Sequence, residues 1–164
     1  MSDEQIIVRR ATGADWEALR AIRLESLLDT PEAYGSTYEN SVTWSDERWR
    51  LAASQSVYFF AERDGHVVGM ISGGTNDRHP GTYWMYGMYV TPAARGTGIA
   101  ARLVETVGQW ARDLGASRLY LHVTSSVGRA RAFYERVGFE PTGDVITMDR
   151  DPSITLLSMV RDLD

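Results

Sequence analysis

The chain has 164 residues, a length that predicts one domain spanning 1–164 with a sizeable hydrophobic core. Its formal net charge of −5 and the lack of any basic run argue against a nucleic-acid surface, and the lack of cysteine excludes disulfides, thiolate catalysis and zinc–cysteine sites. The sequence contains neither a secretory signal nor an apolar run long enough to cross a membrane, so we expect a cytoplasmic protein without a membrane partner.

The first third of the chain predicts a strand followed by two helices. Ile6–Arg10 is an apolar, β-rich run typical of a strand. Apolar residues then recur at helical spacing over 15–28, and Pro31 ends this helix. A Ser-Asp-Glu run at 45–47 begins the second helix and places two acids in the first turn, where the helix dipole favours them. We interpret the aromatic-rich segment 32–40 as a loop.

Three strands follow, and the first two are predicted to form a hairpin. Residues 57–62 and 66–74 are β-rich runs separated by Asp64-Gly65, a strong signal for a two-residue hairpin turn. Residues 82–90 form a third strand that is rich in aromatic residues. Gly87 within it predicts a β-bulge or a close backbone approach.

The third strand begins a strand–helix–strand unit. It is followed by a helix over 96–114 with one apolar side and by a strand at 118–123, and these two strands are expected to be parallel. A helix at 126–137 and a last strand at 154–160 complete the chain. The order predicts an α/β fold with a mixed central sheet, in which antiparallel N-terminal strands precede a parallel β-α-β crossover.

A glycine-rich turn lies between the aromatic strand and the long helix. Gly96 and Gly98, next to Arg95, are typical of a turn whose backbone N–H groups bind phosphate at a helix N-terminus, and equally typical of a tight turn without a ligand. Residues 96–101 also satisfy the dinucleotide pattern G-x-G-x-x-G/A. In that unit the glycines follow the strand directly and an acid follows the next strand. Here 91–95 intervene and no acid follows, so we reject the dinucleotide hypothesis.

Two separated motifs resemble those of one enzyme family. Residues 92–100, Pro-Ala-Ala-Arg-Gly-Thr-Gly-Ile-Ala, resemble the acyl-CoA signature Arg/Gln-x-x-Gly-x-Gly/Ala of the GNAT acetyltransferases. Residues 130–139, Ala-Arg-Ala-Phe-Tyr-Glu-Arg-Val-Gly-Phe, resemble that family's Ala-x-x-Leu/Phe-Tyr-x-x-x-Gly-Phe segment. Because the order of elements matches too, the resemblance covers most of the chain. It implies a GNAT acyltransferase fold with helices on both sheet faces, and direct transfer of an acetyl group from acetyl-CoA to a primary amine.

The resemblance also implies which residues bind acetyl-CoA. Backbone amides of the glycine turn would hold the pyrophosphate, and the pantetheine arm would pair with the aromatic strand, with an amide near Gly87 close to the thioester carbonyl. Ser126 or Ser125 would replace an asparagine that the family often has where this chain has Val127. The implied cofactor-binding residues are Met88, Tyr89, Val90, Arg95, Gly96, Thr97, Gly98, Ile99, Ala100, Ser126, Arg129 and Tyr134.

The resemblance assigns only part of the proton chemistry. Tyr134 stands where the family often has a general acid that protonates the departing thiolate, and packing under the cofactor is the alternative. Trp84 stands where some relatives have a glutamate base, and an indole cannot accept a proton. His122 is then a candidate base, although a histidine in an apolar strand is more often a packed residue. The loop residues Glu39, Asp77 and His79 are further candidates.

In this fold the acceptor is expected opposite the cofactor, between the loop after the first helix and the central strands. The predicted acceptor-binding residues are Tyr34, Tyr38, Glu39, Trp84 and Tyr86. An aromatic lining with one carboxylate is typical of a cation–π site for an ammonium group. The alternative is that most of these aromatic residues pack in the core or in loops.

The sequence therefore predicts an N-acetyltransferase that uses acetyl-CoA, needs no metal and acts on an amine-bearing acceptor that the sequence does not identify. The alternative is a non-catalytic acyl-CoA-binding module of the same fold, which Trp84 and Val127 favour. A homodimer is expected from the family alone.

Overall fold

The computed structural model describes residues 5–126 and 128–164. The strands are β1 (Ile6–Arg10), β2 (Val57–Arg63), β3 (His66–Thr75), β4 (Tyr83–Val90), β5 (Arg118–Thr124), β6 (Glu140–Met148) and β7 (Asp151–Asp162). The helices are α1 (Trp16–Asp29), α2 (Tyr38–Ser41), α3 (Asp46–Gln55), α4 (Ile99–Asp113) and α5 (Gly128–Arg136), with short 3₁₀ turns at Gly13–Asp15, Pro31–Ala33 and Pro92–Ala94. The strands form one sheet in the order β1-β2-β3-β4-β5-β7-β6.

Helices cover both faces of this sheet. Leu19 and Ile22 of α1 and Trp49 of α3 pack against Phe60 on one face. Phe59, the neighbouring residue of β2, packs in the cluster under α4 on the other face, because successive side chains of a strand point to opposite sides. The predicted arrangement of a mixed sheet between two helical layers is confirmed.

The N-terminal part of the sheet has the antiparallel order expected from the sequence. β1 to β4 pair with their neighbours in chain order, all antiparallel. Both turn residues between β2 and β3, Asp64 and Gly65, have positive φ values of 52° and 77°. A two-residue hairpin turn that follows strand twist requires this conformation, so the Asp-Gly prediction is confirmed.

One strand was not predicted from the sequence. β6 contains Pro141 and Gly143, residues that are depleted in strands, and most of its residues are exposed. It forms an edge of the sheet, and its pairing with β7 is interrupted between Pro141 and Val145. Edge strands tolerate proline and irregular register because one side makes no ladder hydrogen bonds. For this reason the hydrophobic pattern that marks a strand is missing here.

The sheet opens between β4 and β5. The two strands are parallel as predicted, but they pair only at Tyr83↔Leu119 and Trp84↔Tyr120. Beyond Trp84, β4 contains the predicted bulge: between the pairs Met70↔Tyr89 and Ser72↔Tyr86, β4 has two residues and β3 has one. Gly87 within the bulge has a φ of 58°, a conformation that glycine adopts without steric cost. The C-terminal halves of β4 and β5 therefore bound a gap.

Candidate active site

A cavity of about 1000 Å³ occupies the gap between β4 and β5. Its wall combines the C-terminal half of α1, the segment that follows it, one face of α5 and the turn between β6 and β7. The lining residues used below are Arg23, Asp29, Tyr34, Arg78, Tyr86, Gly87, Met88, Tyr89, Val90, Arg95, Ala100, His122, Arg129, Tyr134, Asp149 and Arg150. We call the part beside Arg95–Ala100 the turn end, and the part lined by Arg23, Arg78 and Arg150 the arginine-lined part.

The turn end is built from backbone. Gly96 and Gly98 have φ values of 79° and 82°, and a Cβ on either would meet no atom within 4 Å, so the space beside the turn is open. The first N–H groups of α4 have no partner within the helix and lie at its positive end. Thr97 Oγ1 donates to the Ala94 carbonyl (2.6 Å), and the Ile99 side chain is buried in the core. These two side chains thus fix the turn through contacts with the rest of the protein, on the side away from the open space.

Arg95 is tied to two neighbouring segments. Its Nη2 lies 2.6 Å from Asp29 Oδ2, and its Nε donates to the Val90 carbonyl (3.0 Å). The hydrogen bond from this guanidinium lowers the pKa of Asp29. Both side chains remain partly exposed, so the ion pair is weak and open to exchange.

The edge of β4 that faces the gap carries further side-chain hydrogen bonds. Tyr34 Oη donates to the Met88 carbonyl (2.8 Å). Tyr89 Oη donates to Glu25 Oε2 (2.7 Å), and burial together with this carboxylate raises the pKa of Tyr89. The predicted cofactor-binding residues Met88, Tyr89 and Val90 all line the cavity.

The side chain of Tyr134 lines the cavity. Among the described residues its Oη has no hydrogen-bond partner, while its backbone carbonyl accepts a hydrogen bond from Phe139 N (2.9 Å). Burial raises the pKa of Tyr134, and the nearby Tyr34 contributes to the increase. Burial also raises the pKa of Tyr34, to about 12, and the charge of Arg23 offsets part of that increase. Both tyrosines are therefore neutral at physiological pH, and Tyr134 has a proton to donate.

His122 and Trp84 touch, but they face different spaces. Their ring centroids lie 4.6 Å apart, and His122 lines the main cavity. Trp84 is only 2% exposed, donates from Nε1 to Thr82 Oγ1 (2.7 Å) and lines a second pocket of about 310 Å³ with Tyr120 and His79. Burial lowers the pKa of His122, and the charges of His79 and Arg78 lower it further. His122 is thus neutral at neutral pH.

The remaining predicted site residues are divided. Tyr34, Tyr86 and Arg129 line the main cavity. Tyr38 and Glu39 lie on the short helix α2, and Ser126 lies in the turn that follows β5. None of these three belongs to the lining. The aromatic group with Glu39 that we expected for an ammonium is thus not assembled in the cavity. Val127 lies outside the described residues.

Sequence reasoning missed the arginine-lined part. Arg150 Nη2 donates to the carbonyls of Pro31 (2.8 Å) and Tyr34 (2.9 Å), and Arg78 Nη2 lies 3.4 Å from Asp149 Oδ1. Arg23 reaches the cavity from α1. The three arginines come from segments more than 50 residues apart in the sequence, and none carries a local motif. Only the packing of α1 and of the β6–β7 turn onto β4 brings them to one cavity.

The sequence model of the Acetyltransferase (GNAT) family matches residues 16–139. The chain belongs to this family. The uncharacterized N-acetyltransferase YjgM of Escherichia coli (strain K12) is 32% identical over 145 residues, which cover 82% of this chain and 81% of that protein. The 5-NmdU N-acetyltransferase of Pseudomonas phage PaMx11 is 28% identical over 139 residues, or 85% and 90% of the two chains. The structure of yncA from Salmonella typhimurium with its cofactor acetyl-CoA shares the fold, with a TM-score of 0.72, 23% identity and coverage of 98% and 95%.

This GNAT protein is therefore an N-acetyltransferase. Both motifs that carried the resemblance, 92–100 and 130–139, lie within the matched residues. Of the helices described here, none is long and apolar enough to cross a membrane. Within 5–126 and 128–164 no three His, Asp or Glu side chains form a group suited to a metal ion.

Proposed function

We propose that acetyl-CoA lies along the gap between β4 and β5 and that Tyr134 protonates the thiolate that leaves when a primary amine takes the acetyl group. The observation that carries this proposal is the side chain of Tyr134. It lines the cavity, its pKa is raised, and its hydroxyl has no hydrogen-bond partner among the described residues. A neutral phenol within reach of the sulfur is a general acid.

The turn end fits the pyrophosphate of acetyl-CoA. Open space beside Gly96 and Gly98 lets phosphate oxygens approach the backbone, and unpaired N–H groups at the start of α4 supply donors at a positive helix end. Arg129 and Arg95 add positive charge to the lining. The Asp29 carboxylate opposes this charge, so Arg95 must exchange Asp29 for phosphate when the donor binds.

The remaining chemistry concerns the acceptor amine. Acetyl-CoA supplies a thioester carbonyl that a free amine attacks. His122 lines the same cavity, and its lowered pKa leaves the imidazole neutral and able to accept the proton of the ammonium. Trp84 cannot serve as base, because its ring nitrogen only donates and already does so to Thr82.

Calorimetric titration with acetyl-CoA, followed in the same sample by a thiol-release assay against a panel of amines, tests the proposal. We expect binding of acetyl-CoA and thiol release with at least one amine. Binding without release on any amine would favour the non-catalytic module of the same fold. Failure to bind acetyl-CoA would show that the turn at Arg95–Gly98 is not the donor site.

A further inference from the structure

We infer that the acceptor is an amine with a carboxylate close to the amino group, as in an α-amino acid, and that Arg23 binds this carboxylate. The inference rests on the proposed function, because it places the acceptor beside the thioester end of the donor. It also replaces the expected ammonium receptacle with a site for an anionic group.

The position of Arg23 carries the argument. One of its guanidinium nitrogens, Nη1, lies 3.3 Å from the point where a Cβ on Gly87 would stand. The side chain is half-buried and lines the cavity. Among the described residues it has no carboxylate within 4.0 Å and donates no hydrogen bond. A half-buried charge without a counter-ion is unfavourable, and an arriving anion relieves that cost.

Three other arginines of the cavity differ from Arg23 because their guanidinium groups already have partners. Arg95 is paired with Asp29, Arg78 lies next to Asp149, and Arg150 is bound to two backbone carbonyls. Arg129 also lacks a partner, but it is exposed, so water solvates its charge. Arg23 is thus the half-buried guanidinium that remains available for a ligand, with a planar fork of donors that matches a carboxylate.

The positions of Arg23 and Tyr134 on opposite faces of the sheet set the distance between the amino group and the carboxylate of the acceptor. Arg23 comes from α1, whose neighbouring Ile22 packs on one face, whereas Tyr134 packs with the cluster on the opposite face. The Gly87 bulge lies on β4, and Arg23 and Tyr134 line the same cavity as Gly87 from opposite faces of the sheet. If the amino group of the acceptor attacks beside Gly87 while Arg23 binds its carboxylate, only a few bonds can separate the amino group from the carboxylate.

The charge of the cavity supports the same class of acceptor. Three arginines line the acceptor side against two carboxylates, Glu32 and Asp149. Glu32 is exposed, and the Asp149 side chain is 88% exposed and already faces Arg78. Nearby positive charge disfavours an ammonium and lowers the pKa of an amine, so more of the amine is free to attack. The pKa of His122 is lowered chiefly by burial, and the charges of His79 and Arg78 lower it further. A carboxylate on the acceptor compensates the repulsion, whereas a simple alkylamine or a polyamine has no group that does so.

The test compares proteinogenic amino acids with their carboxamides as acceptors, using thiol release from acetyl-CoA by the wild type and by Arg23→Gln, Arg23→Lys and Arg20→Gln. Arg20 is the matched control, since it lies on the same helix and is 42% exposed near Asp46. For the wild type we expect kcat/KM to favour free acids over their amides on the order of 10- to 100-fold, the range for one charge-assisted contact. Arg23→Gln should remove this preference through KM, Arg23→Lys should keep part of it, and Arg20→Gln should keep all of it.

The results separate this inference from the proposed function. A preference for amides, for simple amines or for neither form would overturn the carboxylate assignment, and so would an unchanged preference in a folded Arg23→Gln variant. If Arg23→Gln instead weakens acetyl-CoA in calorimetry, Arg23 belongs to the donor site. If the wild type releases no thiol with any amine, the proposed function fails, and the carboxylate assignment fails with it.

Discussion

At the turn end of the cavity, Gly96 and Gly98 leave open space beside backbone N–H groups, whereas the arginine-lined part presents side chains from three distant segments. Backbone groups present the same donors whatever the neighbouring side chains are, so they suit a donor molecule shared by a whole family. Side chains determine the charge and shape of a binding site, and each can be replaced by a single mutation. On the proposed function, the difference teaches that one cavity combines a part suited to a constant donor with a part whose side chains set the choice of acceptor.

The largest expected effect comes from placing a negative charge at the turn end. Gly98→Asp brings a carboxylate into the open space beside the turn and strains a residue with a φ of 82°. Because like charges placed together cost several kcal/mol, we expect acetyl-CoA affinity to fall by about 100-fold or more in calorimetry. Gly65→Asp is the matched control, since Gly65 has a φ of 77° with open space around it in the β2–β3 hairpin. Equal binding by both variants would contradict the assignment of the turn.

Tyr134→Phe tests the proposed general acid. We expect kcat to fall by about 10²- to 10⁴-fold, the range for loss of a general acid, with the acetyl-CoA affinity nearly unchanged. Since Tyr134 Oη has no partner among the described residues, the variant should also unfold at about the wild-type temperature. Tyr83→Phe serves as control, because Tyr83 lies on β4 and packs edge-to-face on Trp110. A parallel loss of affinity and turnover would mean that Tyr134 has a packing role.

His122→Gln tests the base in the arginine-lined part. Since burial and positive charge lower the pKa of His122 below its ordinary value, the imidazole is neutral at pH 7 and becomes protonated only at a pH below the usual histidine range. The wild-type kcat/KM should therefore fall as the pH decreases below the usual histidine range, and the variant should lack this decrease and lose about 10²-fold in rate. His79→Gln should keep the decrease but move it to higher pH, since His79 contributes to the lowered pKa. A pH profile shared by wild type and His122→Gln would exclude His122 as base.

The smallest expected effect concerns the ion pair at the turn end. Asp29→Asn frees Arg95 and removes a negative charge, so acetyl-CoA should bind about 2- to 5-fold more tightly, as expected for loss of a partly exposed pair. Asp149→Asn removes the carboxylate next to Arg78 and should leave this affinity unchanged. Titrations of both variants under the same salt conditions make the comparison. Weaker binding by Asp29→Asn would mean that Asp29 positions Arg95 for the donor.

The sequence predicted the parts of this molecule that depend on local signals. The Asp64-Gly65 hairpin, the Gly87 bulge and the parallel order of β4 and β5 follow from glycine conformations and from element spacing. The glycine turn and Tyr134 were recognisable because their motifs are short and contiguous. In each case the relevant interactions span a few neighbouring residues.

The acceptor side could not be predicted in the same way, because its composition depends on tertiary packing. Arg23 has no distinguishing sequence neighbours, and only the docking of α1 brings it to Gly87. Trp84 was expected at the acceptor, yet its stacking on Tyr120 and His79 places it at a separate pocket. Glu39 was chosen for its charge, and its helix lies away from the cavity lining. Residue type alone does not determine which cavity a side chain lines in the folded protein.

The irregular pairing of β6 also affects how copies of the protein behave at high concentration. An exposed sheet edge offers free N–H and C=O groups on which strands of other molecules add, and this addition starts aggregation. β6 interrupts that edge with Pro141, which has no N–H, and with the break in register that follows it. At the opposite edge, β1 is only five residues long and ends in two arginines. Both ends of the sheet are thus poor templates for further strands, which protects the folded protein from edge-to-edge association.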